Sequence, residues 1–530
     1  MNTDNIKKLY FKDTSFADLM RHRIYNVLLY ASKYDAFSLE EDGRIDELIF
    51  NEYTSLNLRY PPRFTQVGTE KEANKALEEN MYDLIISMPS GDSINPFEWA
   101  KQVKKDFPYI PIVVLTPFSR MVSERLKYED LSAIDYVFSW LGNSDLLLAI
   151  VKLIEDKMNV EEDVEAVGVQ AIMLVEDSIR FYSSMLPHIY KYVFNQSRSF
   201  MTEALNEHEQ MLRMRGRPKV LLARSYNEAV EIYSTFKKNM LGVITDVSYI
   251  MDGLKNEKAG LKLCRQIRKE DKHIPLIMMS TDKKNAKPAR KVNAAFVHKL
   301  SKTYIRELRN IISNYFGFGD FTFFNPKTQV VEGRISNLRG LQNTLYHLSD
   351  ECLYYHLAQN DISKWLYSRA LFPLAEFLKK IDVDTFENTD LEEARQIIFD
   401  AIVAYRKVKN QGVVATFDKE RFDKYSNFVR IGDGSMGGKG RGLAFIDSMI
   451  KSNPKFDQFK NTDILIPRTV VICTDVFTEF MEINGLYPIA LSERDDQEIL
   501  DVFLKAYLPQ RVIDNLNVFL DVITSPLAVR

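Results

Sequence analysis

Met173-Leu-Val-Glu176-Asp177-Ser178 closes a run of buried-type residues on two adjacent carboxylates. Three later stretches are built the same way: Val243-Ile-Thr-Asp246-Val-Ser248, Pro275-Leu-Ile-Met-Met-Ser280 and Phe296-Val-His-Lys299. Each is a short apolar run, as in a strand covered on both faces, with a polar group at its end. The strands of this unit are expected at Val169–Val175, Lys219–Ala223, Leu241–Thr245, Ile274–Met279 and Ala294–His298. Alternation of such strands with amphipathic stretches implies a parallel sheet with helices on both faces, and the carboxyl ends of its strands form the site. Three carboxylates converging there repel one another unless a divalent cation holds them, and oxygen-only ligands favour Mg²⁺. Asp246 then faces a phosphoryl group as nucleophile, Ser280 bonds the phosphoryl oxygens and Lys299 pairs with them. The plain alternative is a set of polar strand ends that meet water.

The same alternation precedes this unit. Ile24–Tyr30, Asp83–Met88, Ile110–Thr116 and Ile134–Phe138 read as strands. Lys71–Met81, Phe97–Phe107, Met121–Leu131 and Leu146–Met158 read as helices. The acidic Glu161–Glu165 reads as a linker, and the first helix of the second unit is long, Ile179–Arg215. Aligned on the second unit, the first has Ala31-Ser32 in place of the acidic pair, Met88 at the acceptor position and Ser139 at the lysine position; Thr116 alone is kept. Methionine accepts no phosphoryl group, so residues 1–160 are expected to dock or dimerise rather than react. Asp83 and Asp92 are read as strand-start or surface residues.

The four stretches quoted first resemble the receiver domain of two-component response regulators. The resemblance implies a flavodoxin-like α/β fold and aspartyl phosphorylation at Asp246 by a cognate histidine kinase or another phosphodonor. It also implies Mg²⁺ on Glu176, Asp177, Asp246 and the backbone carbonyl of Ser248. It covers residues 166–318. Leu300 stands where the family usually has proline, and the first helix carries an insertion, so regulation is expected to differ.

Beyond Phe324, Ile335–Leu357, Ile362–Ile381 and Leu391–Val408 have helical spacing, which gives a helical connector over residues 319–425. His356, Trp365 and Arg369 lie near one helical face and are expected to pack against the neighbouring unit. Residues 426–530 open on Gly432-Asp-Gly-Ser-Met-Gly-Gly-Lys439-Gly-Arg-Gly442. Glycines let backbone N–H groups approach a phosphate, lysine adds a positive charge, and the helix expected at Leu443–Ile450 aims its N-terminus at the same place. Gly440 follows Lys439 where a Walker A loop needs Ser or Thr, so this is not that motif.

The stretch Arg430–Phe445, then Ile466-Pro-Arg-Thr-Val-Val-Ile-Cys-Thr-Asp475 and the terminal Ser525-Pro-Leu-Ala-Val-Arg530, resembles the ATP-binding (ATP-grasp) domain of phosphoenolpyruvate synthase and pyruvate, phosphate dikinase. The resemblance implies ATP as cofactor, with Gly437, Gly438, Lys439, Gly440 and Arg530 at its phosphates. The family's phosphohistidine normally sits in a Gly-Thr/Ser-x-His context, and none of the seven histidines here does. Pyruvate is therefore expected as a substrate only through domains beyond Arg530, where the chain looks like a cut through a domain.

The whole reads as α/β with two receiver-like units, a helical connector and the first part of an ATP-grasp-like domain. At 530 residues it needs several cores. Lys and Arg total 70 against 73 Asp and Glu, so no global charge draws it to nucleic acid or an anionic membrane. Three scattered cysteines, no signal-type start and no long apolar run place it in the reducing cytoplasm. The leading expectation is the regulatory, nucleotide-binding part of a signal-regulated dikinase, inactive by itself. The others are a non-catalytic response-regulator scaffold and a dikinase with a different acceptor. Pairing of two copies through the long first helix of the second unit stays open.

Overall fold

The computed structural model describes residues 16–40, 43–56, 58–89, 95–117, 129–200, 211, 213–381, 391–410, 414–417, 425–453, 455–456, 462, 464–523 and 526–529. Asp92, Arg530 and most of the Met121–Leu131 stretch lie outside these residues.

The first unit is a parallel sheet of β1 (Asn26–Tyr30), β2 (Arg63–Val67), β3 (Leu84–Ser87), β4 (Ile112–Pro117) and β5 (Tyr136–Trp140), in the order β2-β1-β3-β4-β5. The second contains β6 (Ala171–Val175), β7 (Lys219–Ala223), β8 (Met240–Asp246), β11 (Leu276–Ser280) and β12 (Ala295–His298), in the order β7-β6-β8-β11-β12. A small hairpin of β9 (Tyr249–Met251) and β10 (Leu254–Asn256) follows β8. Both orders are the flavodoxin-type doubly wound arrangement. Buried runs such as Ala171–Val175, with every residue inaccessible, formed strands within about two residues of their expected ends. β2 was not foreseen: Arg-Phe-Thr-Gln-Val is an edge strand with its side chains largely in water, so it carries no apolar run.

The expected linker at Glu161–Glu165 is a correction. One helix, Asp145–Val167, runs unbroken through it and ends at Gly168, which caps it in the left-handed conformation at φ 80°. From Leu146 to Asp156 every residue of this junction helix is buried. The apolar ones pack on both sides of the junction, and Lys152, Asp156, Asn159 and Asp163 line up as one polar stripe at helical spacing. Asp156 accepts both Nη atoms of Arg217 (3.0 and 2.7 Å), the Tyr190 hydroxyl (3.0 Å) and the Val220 amide (2.9 Å). Asp163 pairs with Lys219 (2.7 Å) and accepts the Met20 amide. Asn159 and Glu155 accept the His22 and Ile24 amides at the entry to β1.

The second helix at the junction, Ile179–Phe200, reaches back onto the first unit. Its Tyr182 hydroxyl donates to the Val137 carbonyl, and Tyr182 stands edge-on to Phe138. The Ser139 amide donates to Ser183 Oγ (3.0 Å). The expected helix through Arg215 therefore has a shorter described span, with a separate 3₁₀ turn at Met214–Gly216.

In the connector, a hairpin of β13 (Phe321–Asn325) and β14 (Val330–Ile335) precedes, among the described residues, four short α-helices and the longer Glu392–Asn410. The expected Ile335–Leu357 helix is split: Ser349 caps a new helix at Asp350. Ile362–Ile381 is split at Ala370, which takes φ 55° ahead of Pro373. Arg369 lies 3.9 Å over the Trp365 ring and donates to the carbonyls of Gly317 (2.8 Å) and Gly319 (3.0 Å). His356 accepts the Phe324 amide and meets Asp361 at 2.9 Å. These three side chains thus serve packing.

The last unit has three parallel strands, β15 (Val414–Thr416), β16 (Phe428–Ile431) and β17 (Thr469–Ile472), in that order. Its main helices are Gly437–Ser452, Thr474–Ile483, Asp496–Lys505 and Gln510–Val522. Among the described residues no helix is long and apolar enough to cross a membrane.

Removing one partner of a buried ion pair leaves the other charge stranded, at a cost of about 3–5 kcal/mol. Asp156→Ala is expected to destabilise both α/β units together by about that amount in urea unfolding, because Arg217 is 3% exposed. Loss confined to one of two resolved transitions refutes a shared junction.

Candidate functional site

Parallel register sets the site. β6 and β11 flank β8, so Glu176 and Ser280 extend from the strands on either side of Asp246, and Lys299 follows β12. Carboxylate oxygens of Glu176, Asp177 and Asp246 lie within 4.8 Å of one another. Lys299 Nζ contacts Glu176 Oε2 and stands 3.0 Å from Asp246 Oδ2. Five of the residues expected to carry the site are therefore brought to one sheet edge. Ser248, the sixth, lies two residues beyond Asp246 in the bend before β9.

The electrostatics follow from burial. Glu176 is inaccessible to water, and its carboxyl is pushed up to about 7, chiefly by desolvation; Lys299 opposes the rise and the charge of Asp246 adds to it. Asp246 is also raised by burial, against Lys299 and the Val247 amide, which donates to Oδ1 at 2.8 Å. This is a site short of positive charge. The three carboxylates fit a hard divalent cation by donor type and spacing.

Four partners of the site stand outside the residues expected from the sequence. Lys255 reaches Asp177 at 3.1 Å from the β9–β10 hairpin. The hairpin turns at Asp252-Gly253, both at positive φ, and Asp-Gly is the signal that would have placed it. Phe181 puts its ring 4.4 Å from Lys299 Nζ. Ser280 Oγ accepts from the Asp282 amide (3.1 Å) and Asn285 Nδ2 (2.9 Å), which leaves its own proton free to donate. Gly260 is required by contact: a Cβ there would lie 2.0 Å from the Asp246 carbonyl oxygen.

The matching end of the first unit holds Ala31, Met88, Thr116 and Ser139, all buried. Thr116 Oγ1 donates to the Phe138 carbonyl, and the Ser139 amide is taken by Ser183. Asp83 sits at the opposite end of this sheet, where it accepts the Tyr25 and Asn26 amides.

The glycine-rich segment divides in two. A loop at residues 432–436 folds onto the next helix start: Asp475 accepts the Asp433 (3.0 Å) and Gly434 (2.9 Å) amides, and Thr474 Oγ1 the Ser435 amide. A Cβ on Gly432 or Gly434 would strike Asp475 within 2.9 Å, so these glycines serve that contact. From Gly437 on the chain is helical, which corrects the expected start at Leu443 and places Gly437, Gly438, Lys439 and Gly440 in the first turn. Gly440 packs against Val471, whereas nothing lies within 4 Å of a Cβ built on Gly437, Gly438 or Gly442. Lys439 is exposed.

Two solved structures described as two-component response regulator/GGDEF domain proteins are similar to this chain. Each match covers 54% of this chain and 96% of the other, at 14% identity and a TM-score of 0.24. No family model matches the sequence, and a search of curated proteins gave no match.

An ordinary glutamate loses its proton near 4.5, and Glu176 loses it near 7 in the folded chain. Between those values the folded state holds a proton that the unfolded state has lost, so this group lowers stability as pH rises across that window. In metal-free protein, the unfolding free energy of wild type minus that of Glu176→Gln is expected to fall from pH 5 to 7 and level off above. A pH-independent difference by urea titration refutes the buried carboxyl.

Proposed function

We propose that residues 166–318 form a phosphoacceptor regulatory unit in which Asp246 is phosphorylated. The observation that carries this reading is the meeting of three carboxylates within 4.8 Å, with Lys299 3.0 Å from Asp246, at the carboxyl edge of a parallel sheet. An Asp246 oxygen attacks the donor's phosphorus, an acyl phosphate forms, and the donor's leaving group departs with the electrons of its broken bond to phosphorus. Lys299 is within reach of the added negative charge, and Ser280 has a proton to donate to a phosphoryl oxygen. Glu176, Asp177, Asp246 and the Ser248 carbonyl would hold Mg²⁺, which neutralises charge on the transferring group when bound.

The finer reading is that residues 426–530 are the first part of an ATP-binding domain of the phosphoenolpyruvate synthase and pyruvate, phosphate dikinase type, biased by the state of Asp246. Support comes from Gly438 and Gly442, glycines that neither a left-handed backbone nor any contact among the described residues requires, in the first turns of a helix bearing Lys439; Gly437 itself holds φ 72°. First-turn amides of a helix lack partners within it and suit a phosphate. The amides at residues 433–435 are already bonded, so ATP phosphates would meet the helix start alone. Acceptors other than pyruvate fit this unit equally well. The competing scaffold reading uses the same receiver units without nucleotide.

With acetyl phosphate and Mg²⁺, wild type is expected to take up hydroxylamine-labile phosphate at close to one per chain and Asp246→Asn less than a tenth of that. Equal labelling of the variant refutes Asp246 as acceptor. Photolabelling with 8-azido-ATP is expected to mark peptides from residues 426–530 and to drop at least tenfold in Lys439→Ala. Absence of such peptides from wild type favours the scaffold.

A further inference from the structure

A cavity of about 210 Å³ opens where the two α/β units meet, lined by none of the residues of either site above. Lys152 and Glu155 of the junction helix, with Arg217, line its buried side. There Lys152 bonds Glu155 at 2.7 Å with its ammonium 4.7 Å from the Tyr53 ring, and Arg217 is held by Asp156. Both cations are therefore neutralised before any ligand arrives.

The rim is different. Arg23, Arg59 and Arg215 line it, from three separate segments. Arg23 Nε and Arg215 Nη1 donate only to the backbone carbonyls of Met20 (3.2 Å) and Ala17 (2.5 Å). Among the described residues, no carboxylate lies within ion-pair distance of any of the three. Glu155 is the single acid in the lining against five cations, and Lys152 already engages it. Burial and the charge of Arg23 both press the Arg215 guanidinium toward a lower value, a repulsion that an anion would relieve.

One wall is apolar and partly aromatic, with Phe194, Leu58, Met214 and Tyr60. Two lining residues, Met20 (φ 53°) and Tyr60 (φ 60°), hold left-handed backbones, which non-glycine residues adopt at a cost. Guanidinium forks match phosphate oxygens in pairs and also stack on rings. A bare inorganic anion would leave the apolar wall unused, and the volume is below the usual 300–1,000 Å³ of drug-sized sites.

We propose that this cavity binds a phosphorylated, ring-bearing small molecule of the nucleoside-phosphate class, its phosphates met by Arg23, Arg59 and Arg215 and its ring by Phe194 and Tyr60. Such a ligand touches the segment before β1, the loop before β2, both junction helices and the lead into β7. Its binding therefore strengthens the hold of one α/β unit on the other.

The test is calorimetric titration of the full 530-residue chain in EDTA, which silences the carboxylate site, and in a Lys439→Ala background, which silences the glycine-helix site. ATP, inorganic phosphate and adenosine are the probes. ATP is expected to bind saturably, more weakly as salt rises, and to raise the melting temperature. Arg59→Glu, at an exposed residue, is expected to weaken ATP at least tenfold while its ligand-free melting temperature stays that of the parent. Absence of saturable ATP binding overturns the proposal, as does unchanged affinity in Arg59→Glu or adenosine binding as tightly as ATP. Inorganic phosphate binding as tightly as ATP overturns the assignment to a ring-bearing ligand.

Discussion

Asp156 is fully buried, and a carboxylate in that position is tolerable only when its oxygens are matched by donors. The donors come from Arg217, Tyr190 and the Val220 amide, all outside the helix that carries Asp156. The bonds close only when the second α/β unit sits against the junction helix in one register. Asn159, Glu155 and Asp163 extend the same logic to the entry strand of the first unit, where they accept the backbone amides at residues 22, 24 and 20. A purely apolar helix would hold the two units by contact area and tolerate sliding. A stripe of buried acceptors sets the register, because a slip strands several charges at once.

That junction reaches toward the chemistry. The helix beginning at Ile179 carries Phe181 beneath Lys299, Tyr182 and Ser183 against β5, and Tyr190 on Asp156. One helix thus touches the carboxylate edge of the second unit, the β5 end of the first unit and the buried ion pair. Among the described residues the first unit has no carboxylate cluster of its own at that edge, and its β5 end is occupied by the second unit's helix.

Much of this was legible in the residues. Four apolar runs ending in Glu-Asp, Asp, Ser and Lys specify a parallel sheet and its polar edge, since a run buried on both faces has few other places to go. The polar stripe Lys152, Asp156, Asn159, Asp163 was also present at helical spacing, but Glu161–Glu165 was taken for a linker because five residues rich in acid usually meet water. Only Asp163 of that stretch turns inward fully, and the rest of it rides the solvent side of a helix that the local composition does not reveal. The connector helices are shorter than their apolar spacing suggests because local signals interrupt it: Ser349 caps the helix at Asp350 with its own side chain, and Ala370 turns ahead of Pro373. The glycines at 432–442 read alike in sequence, yet two of them serve Asp475, one packs on Val471 and three face open space.

The residues by themselves determined which buried strands form, which edge collects carboxylates and which unit lacks them at the matching positions, because these follow from local hydrophobicity and from the side chain at each strand end. Tertiary structure alone decided that the two copies share one junction, that Lys255 and Phe181 frame the acceptor edge, and that three arginines surround a cavity between units. Those outcomes bring together residues from 61 to 198 positions apart. They depend on which buried charge finds which donor, and no local pattern in the chain records that pairing.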